Sequence, residues 1–133
     1  MQHIAKLAST AVCALDETDI HHALVARERL GSTGIGEGVA IPHCRISHCD
    51  APLGLLIKLE RPVDFDSLDG HPVDLVFTLI TPASDSNAHL SALSHLATLF
   101  NQATFRDSLR TAQTSQELFE CATHSAFETT ISH

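Results

Sequence analysis

Apolar positions recur with a helical period towards both ends of the chain and with a strand period in its middle. Over residues 2–14, Ile4, Leu7, Ala8 and Ala11 fall at i, i+3, i+4 and i+7, one face of a helix. Asp16 or Thr18 then offers an N-cap. Ile20, Ala23, Leu24 and Arg27 share one face of a second helix, which Gly31 suits as its C′ residue. Residues 39–41 (VAI) read as a short strand ending at Pro42-His43, after which HCRISHCD turns through polar residues. Residues 53–59 predict a mostly buried strand, Val63-Asp64-Phe65 alternates, and LDGH at 68–71 is a turn signal. VDLVFTLI at 73–80 is the strongest strand pattern, ended by Thr81-Pro82. A polar loop, ASDS, leads to Asn87 as an N-cap. Leu90, Leu93, Ala97 and Phe100, widened by Leu96 and Leu99, form the apolar stripe of the next helix. Thr104 and Asp107 suggest another helix start, Thr114 to Glu117 fits a capping box, and HSAFETTISH has no period.

Strands interleaved with helices predict an α/β architecture, and the hairpin signals make its sheet mixed rather than purely parallel. At 133 residues the chain reads as one domain over 1–133 with a loose tail at 124–133. Such a domain buries about two-thirds of its unfolded surface. With 44% hydrophobic residues, no Trp or Tyr and 6 Phe, its core is expected to be aliphatic. No apolar run approaches the ~18–20 residues of a membrane span. MQHIAKLAST lacks a signal-peptide core, so a cytoplasmic protein without membrane insertion is expected. The net charge of −8 argues against nucleic acid and suits a basic protein partner. Cys13, Cys44, Cys49 and Cys121 have no C-x-x-C spacing and read as free thiols.

The densest chemical signal is GSTGIGEGVAIPHCR, residues 31–45. Of the chain's 6 glycines, Gly31, Gly34, Gly36 and Gly38 fall here. Such a loop can turn successive backbone N–H groups toward an anion, with Gly31, Ser32, Thr33, Gly34 and Gly36 as the candidate phosphate loop. Two familiar motifs fail. A Walker A loop needs Lys after its last glycine, where this chain has Glu37 after Gly36; the dinucleotide fingerprint needs a third glycine where Val39 stands. No nucleotide cofactor is expected. His43 ends the motif, and a neutral imidazole is a good nucleophile near pH 7.

With Arg27-Glu28 ahead of it, GSTGIGEGVAIPH resembles the active-site signature of the fructose/mannitol-type enzyme IIA proteins of the bacterial sugar phosphotransferase system. PVDFDSLDGHPVDLVFTLITPASDSNAHLSALSHLA resembles the hairpin and second-histidine region of that family's nitrogen-regulatory branch, and LRTAQTSQELFE its C-terminal helices. The resemblance covers residues 20–122. It implies a mixed sheet flanked by helices, and a phosphocarrier that accepts a phosphoryl group on His43 from an HPr-type carrier protein. His89 matches the family's second active-site histidine, and Arg27 the arginine before the glycine loop. A regulatory output through phosphorylation-dependent binding of target proteins is implied as well.

Residue chemistry agrees with those roles. His89 falls in a first helical turn, where the dipole favours anions and disfavours imidazolium. A guanidinium such as Arg27 grips phosphate with paired N–H bonds. Thr33 has a hydroxyl to donate to a phosphoryl group or serves to shape the turn, while Glu28 and Glu37 read as acidic rim or structural hydrogen-bond partners. The pair of His-Cys dipeptides in HCRISHC invites a metal reading, but its spacing matches no zinc pattern, so no metal is expected. The chain departs from the family in carrying Cys44 after the histidine and in beginning almost within the first helix. Without a leading edge strand it would expose backbone groups, and reduced stability or strand-edge homodimerisation is then expected. Competing readings are a sugar-transporting enzyme IIA that passes phosphate to a IIB, and a binding module that no longer transfers.

Overall fold

The computed structural model describes residues 4–6, 16–47, 52–67, 69–84 and 86–121. In chain order these form α1 (Glu17–Leu30), β1 (Gly34–Gly36), β2 (Val39–Ala40), β3 (His43–Ile46), β4 (Leu53–Val63), β5 (Val73–Pro82), α2 (Ser86–Phe100) and α3 (Ala103–Thr111), with residues 115–121 also helical. The contacts divide the chain into two compact units, residues 1–91 and 92–133.

β5 is the axis of the first unit, as its largely apolar run predicts. β4 pairs with it antiparallel, from Leu53↔Ile80 to Val63↔Val73. β2 and β3 lie parallel to it along the opposite edge. Val39 pairs with Leu75 and His43 with Leu79, so both segments keep one register on either side of Ile41-Pro42. Pro42 has no N–H for the ladder, but its carbonyl accepts from Leu79 N at 3.0 Å and carries the pairing across the break. The mixed sheet is the one expected.

One sheet face carries a core cluster, while Val39, Leu75 and Leu79 on the alternate face are buried as well. Ala40, Cys44, Ile46, Val76 and Ile80 pack with Ile20 and Leu24 of α1 and with Ile4 and Ala5 of a helical piece at 4–6; Leu53, Leu55, Ile57 and Leu59 of β4 pack partly buried against them. α1 starts where its cap predicts: Asp16 accepts from Thr18 N at 2.7 Å and from Asp19 N at 3.3 Å. It ends at Gly31, whose N–H donates to Glu28 O.

The sheet departs from expectation at several places. Residues 43–46 form β3 rather than a polar turn, because the core takes Cys44 and Ile46 while His43 and Arg45 alternate outward. The strand predicted at 39–41 stops at Ala40. β4 is longer than predicted and buries only one face, in part. Asn87 is not a cap, since α2 already begins at Ser86. Leu90, expected on that helix's apolar stripe, is 63% exposed.

In the second unit, Leu99, Phe100, Phe105, Leu109 and Ala112 are buried, with the rings of Phe100 and Phe105 edge to face at 5.2 Å. Arg106 Nη1 donates to Phe100 O at the end of α2. Half of the capping box forms: Thr114 Oγ1 accepts from Glu117 N, whereas the Glu117 carboxylate accepts from Gln113 N, one residue before the cap. The rest of the helix predicted at 2–14, Cys13, Cys49, His48 and the tail at 124–133 lie outside the described residues.

Candidate functional site

The glycine segment is a hairpin. β1 pairs antiparallel with β2 across Glu37-Gly38, and both turn residues have positive φ, 57° and 77°, as in the primed turns that suit twisted strands. Ile41 N donates to Thr33 O at 3.0 Å and closes its base. The hairpin is fastened to residues 65–69. Ser32 Oγ donates to Phe65 O, and Glu37 N donates to Asp69 Oδ2 at 2.9 Å. Gly34 lies against Ser67, where an added Cβ would run into Oγ and stand 3.2 Å from Cα. Close approach of one backbone to another explains this glycine.

Several amides of the candidate phosphate loop are engaged internally. Gly31 N donates to Glu28 O. Thr33 N donates to Glu28 Oε2 at 3.4 Å, and its hydroxyl to Oε1. Gly34 N donates to Ser32 Oγ at 3.0 Å. Glu28 is thus a hydrogen-bond partner that orders the loop, one of the two roles its position suggested. Gly36 faces Asp69, whose carboxylate would lie 3.2 Å from an added Cβ.

The hairpin delivers the chain through Pro42 to His43, which the fold brings beside Arg27 and His89. His43 Nδ1 lies 2.8 Å from Ile41 O, an acceptor only, so the ring proton sits on Nδ1 and the lone pair on Nε2. Arg27 Nε donates to that Nε2 at 3.0 Å, and Arg27 Nη1 to Gly31 O at 2.8 Å. The His89 ring centroid is 5.4 Å from that of His43, with the planes 49° apart. His89 is buried and its Nδ1 lies 2.5 Å from Thr81 Oγ1.

Both imidazoles titrate below the ordinary histidine value. For His43, burial is the main cause and the Arg27 cation adds to it, against the hydrogen bond to Ile41 and the Glu28 charge. For His89, burial leads, followed by the charges of His43 and Arg45. Near neutral pH both rings are therefore uncharged, and His43 Nε2 keeps its lone pair. Thr81 and Ile41 O were not readable from spacing, because the junction of β5 with α2 and a backbone carbonyl create them. Among the described residues no group of three or more His, Cys, Asp or Glu is placed to hold a metal ion. No described helix is long and apolar enough to cross a membrane.

The sequence model of the family described as "Phosphoenolpyruvate-dependent sugar phosphotransferase system, EIIA 2" matches residues 1–124. The chain belongs to this family. Among relatives of this EIIA 2 chain, a nitrogen regulatory protein of Pseudomonas aeruginosa is 45% identical over 120 residues, which are 90% of this chain and 78% of that protein. A fructose-specific EIIABC component of Bacillus subtilis is 36% identical over 105 residues, covering 79% of this chain and 16% of that one. The crystal structure of nitrogen regulatory protein IIA-Ntr from Neisseria meningitidis superposes with a TM-score of 0.76 at 42% identity, over 81% of this chain and 74% of the other. IIA mannitol from Escherichia coli, with a TM-score of 0.69 at 17% identity over 90% and 86%, shares the fold.

Proposed function

We propose that this EIIA 2 chain is a phosphocarrier of the nitrogen-regulatory type, taking a phosphoryl group on His43 Nε2 from an HPr-type carrier. The observation that carries this is the fixed His43 ring, with Nδ1–H held by Ile41 O and the Nε2 lone pair directed toward Arg27. In the transfer, the carrier's N–P bond breaks as the Nε2–P bond forms. The carrier's imidazole leaves with the electron pair, and His43 keeps its Nδ1 proton. Such transfer asks chiefly for alignment and charge stabilisation. Arg27 Nε–H, displaced from Nε2, turns to the phosphoryl oxygens. His89 lies close enough to support them, and Gly31 to Gly36 hold the hairpin that sets Arg27 and His43 in place. Leu30 and Leu90, 85% and 63% exposed and each next in sequence to a site residue, offer the carrier apolar surface.

The regulatory assignment rests on the nitrogen regulatory relatives. A phosphoryl group then switches which target proteins bind, by adding charge beside an apolar rim. The fructose-specific relative supports a second reading, passage of the group to a IIB. The test is incubation with phosphoenolpyruvate, enzyme I and HPr-type carriers, followed by intact mass measurement beside His43→Ala. One phosphoryl mass on the wild type alone is expected. No gain by folded protein overturns the proposal in favour of a binding module, and onward transfer to a purified IIB favours the sugar-transport reading.

A further inference from the structure

Thr81 lies near the end of β5, opposite Arg45 in the ladder, and is 1% exposed. Its hydroxyl contacts His89 Nδ1, its one hydrogen-bond partner among the described residues. A hydroxyl has a single proton to give. Were Thr81 to accept Nδ1–H from His89, its own proton would be buried without an acceptor, an unfavourable arrangement. Donation to Nδ1 satisfies both groups and leaves the ring proton of His89 on Nε2.

We propose that Thr81 is a positioning residue that holds His89 in the Nε2–H tautomer, so that the ring offers an N–H donor to the phosphoryl group carried by His43. The inference rests on phosphoryl acceptance by His43 as argued above. The two neighbouring imidazoles are then locked in opposite tautomers by different partners. Ile41 O takes the Nδ1 proton of His43 and frees its Nε2 lone pair, whereas the Thr81 hydroxyl fills the Nδ1 lone pair of His89 and keeps a proton on its Nε2. No proton moves during transfer: the His89 N–H binds the phosphoryl oxygens and stays on His89. In the other tautomer a nitrogen lone pair would face those anionic oxygens.

The test is long-range 1H–15N NMR of the histidine rings in the unphosphorylated wild type, Thr81→Val and Thr81→Ser, at a pH above both titrations, together with the rate of phosphoryl uptake from an HPr-type carrier. Wild type and T81S are expected to show His89 protonated on Nε2. T81V is expected to show a mixture and to take up phosphoryl groups about 3- to 10-fold more slowly, a loss the size of one hydrogen bond, while still reaching the full mass on His43. T81S restores the rate. Protonation of wild-type His89 on Nδ1 overturns the inference, as does a T81V protein with unchanged nitrogen shifts and rate. If T81V does not fold, the wild-type spectrum decides. Failure of the wild type to gain any phosphoryl mass instead overturns the proposed function, and the ring nitrogens then report on the Thr81–His89 pair alone.

Discussion

Arg27 uses one guanidinium for two tasks: Nη1 ties it to Gly31 O, and Nε meets Nε2 of His43. Arg27→Ala removes a charge-assisted bond, a type whose loss is worth about 1.5–3 kcal/mol, so uptake is expected to fall at least tenfold. The His43 pKa should rise towards its ordinary value, since the cation that opposed protonation is gone. Rapid-quench mass measurement reads the first effect and NMR titration the second. Both site histidines bind protons less readily in the folded chain. As pH falls below about 6.5 the unfolded chain protonates its imidazoles first. Unfolding then takes up protons, so stability declines from there down through the lowered folded values; above that window the two rings contribute nothing to the slope. Urea unfolding between pH 7.5 and 5 should show this decline, and a His43→Gln/His89→Gln variant should flatten it. An unchanged slope would show that neither ring is depressed.

At the scale of elements, the contact between β1 and the loop at 65–69 governs the hairpin. Gly34→Ala drives a methyl into Ser67, an overpacking that should cost about 1–3 kcal/mol in urea unfolding. Adding Ser67→Gly should return part of it; no recovery would place the strain elsewhere. Asp16, Gly31 and the apolar run of β5 could be read in the sequence because caps and buried strands are local signals. β3 could not, since Pro42 interrupts the pattern and the polar His43 and Arg45 disguise two inward positions. Nor could the reason for Gly34, because the partner that forbids a side chain lies 33 residues away. The site follows the same rule. His43, His89 and Arg27 stood out by type and motif, whereas Thr81 reaches His89, eight residues on, only across the junction between the end of β5 and the start of α2.

For the whole molecule, charge sets how partners arrive. The chain carries −8 before any modification, and a phosphoryl group on a side chain adds about two more negative charges. A carrier with a basic docking face is therefore drawn to the unmodified protein by long-range attraction, which raises the association rate more than it slows dissociation. Over ionic strengths where the Debye length shrinks from about 30 Å to about 8 Å, that rate should fall by at least tenfold while the dissociation rate changes little. Stopped-flow fluorescence with labelled carrier measures both. The apolar rim should behave oppositely: Leu30→Ser leaves the net charge at −8 and should leave the salt slope intact, while on the proposed docking it should speed dissociation by removing exposed apolar surface. A salt-independent association rate would mean that the acidic surface faces away from the carrier. The charge would then serve solubility, and discrimination between modified and unmodified protein would rest on contacts at His43 itself.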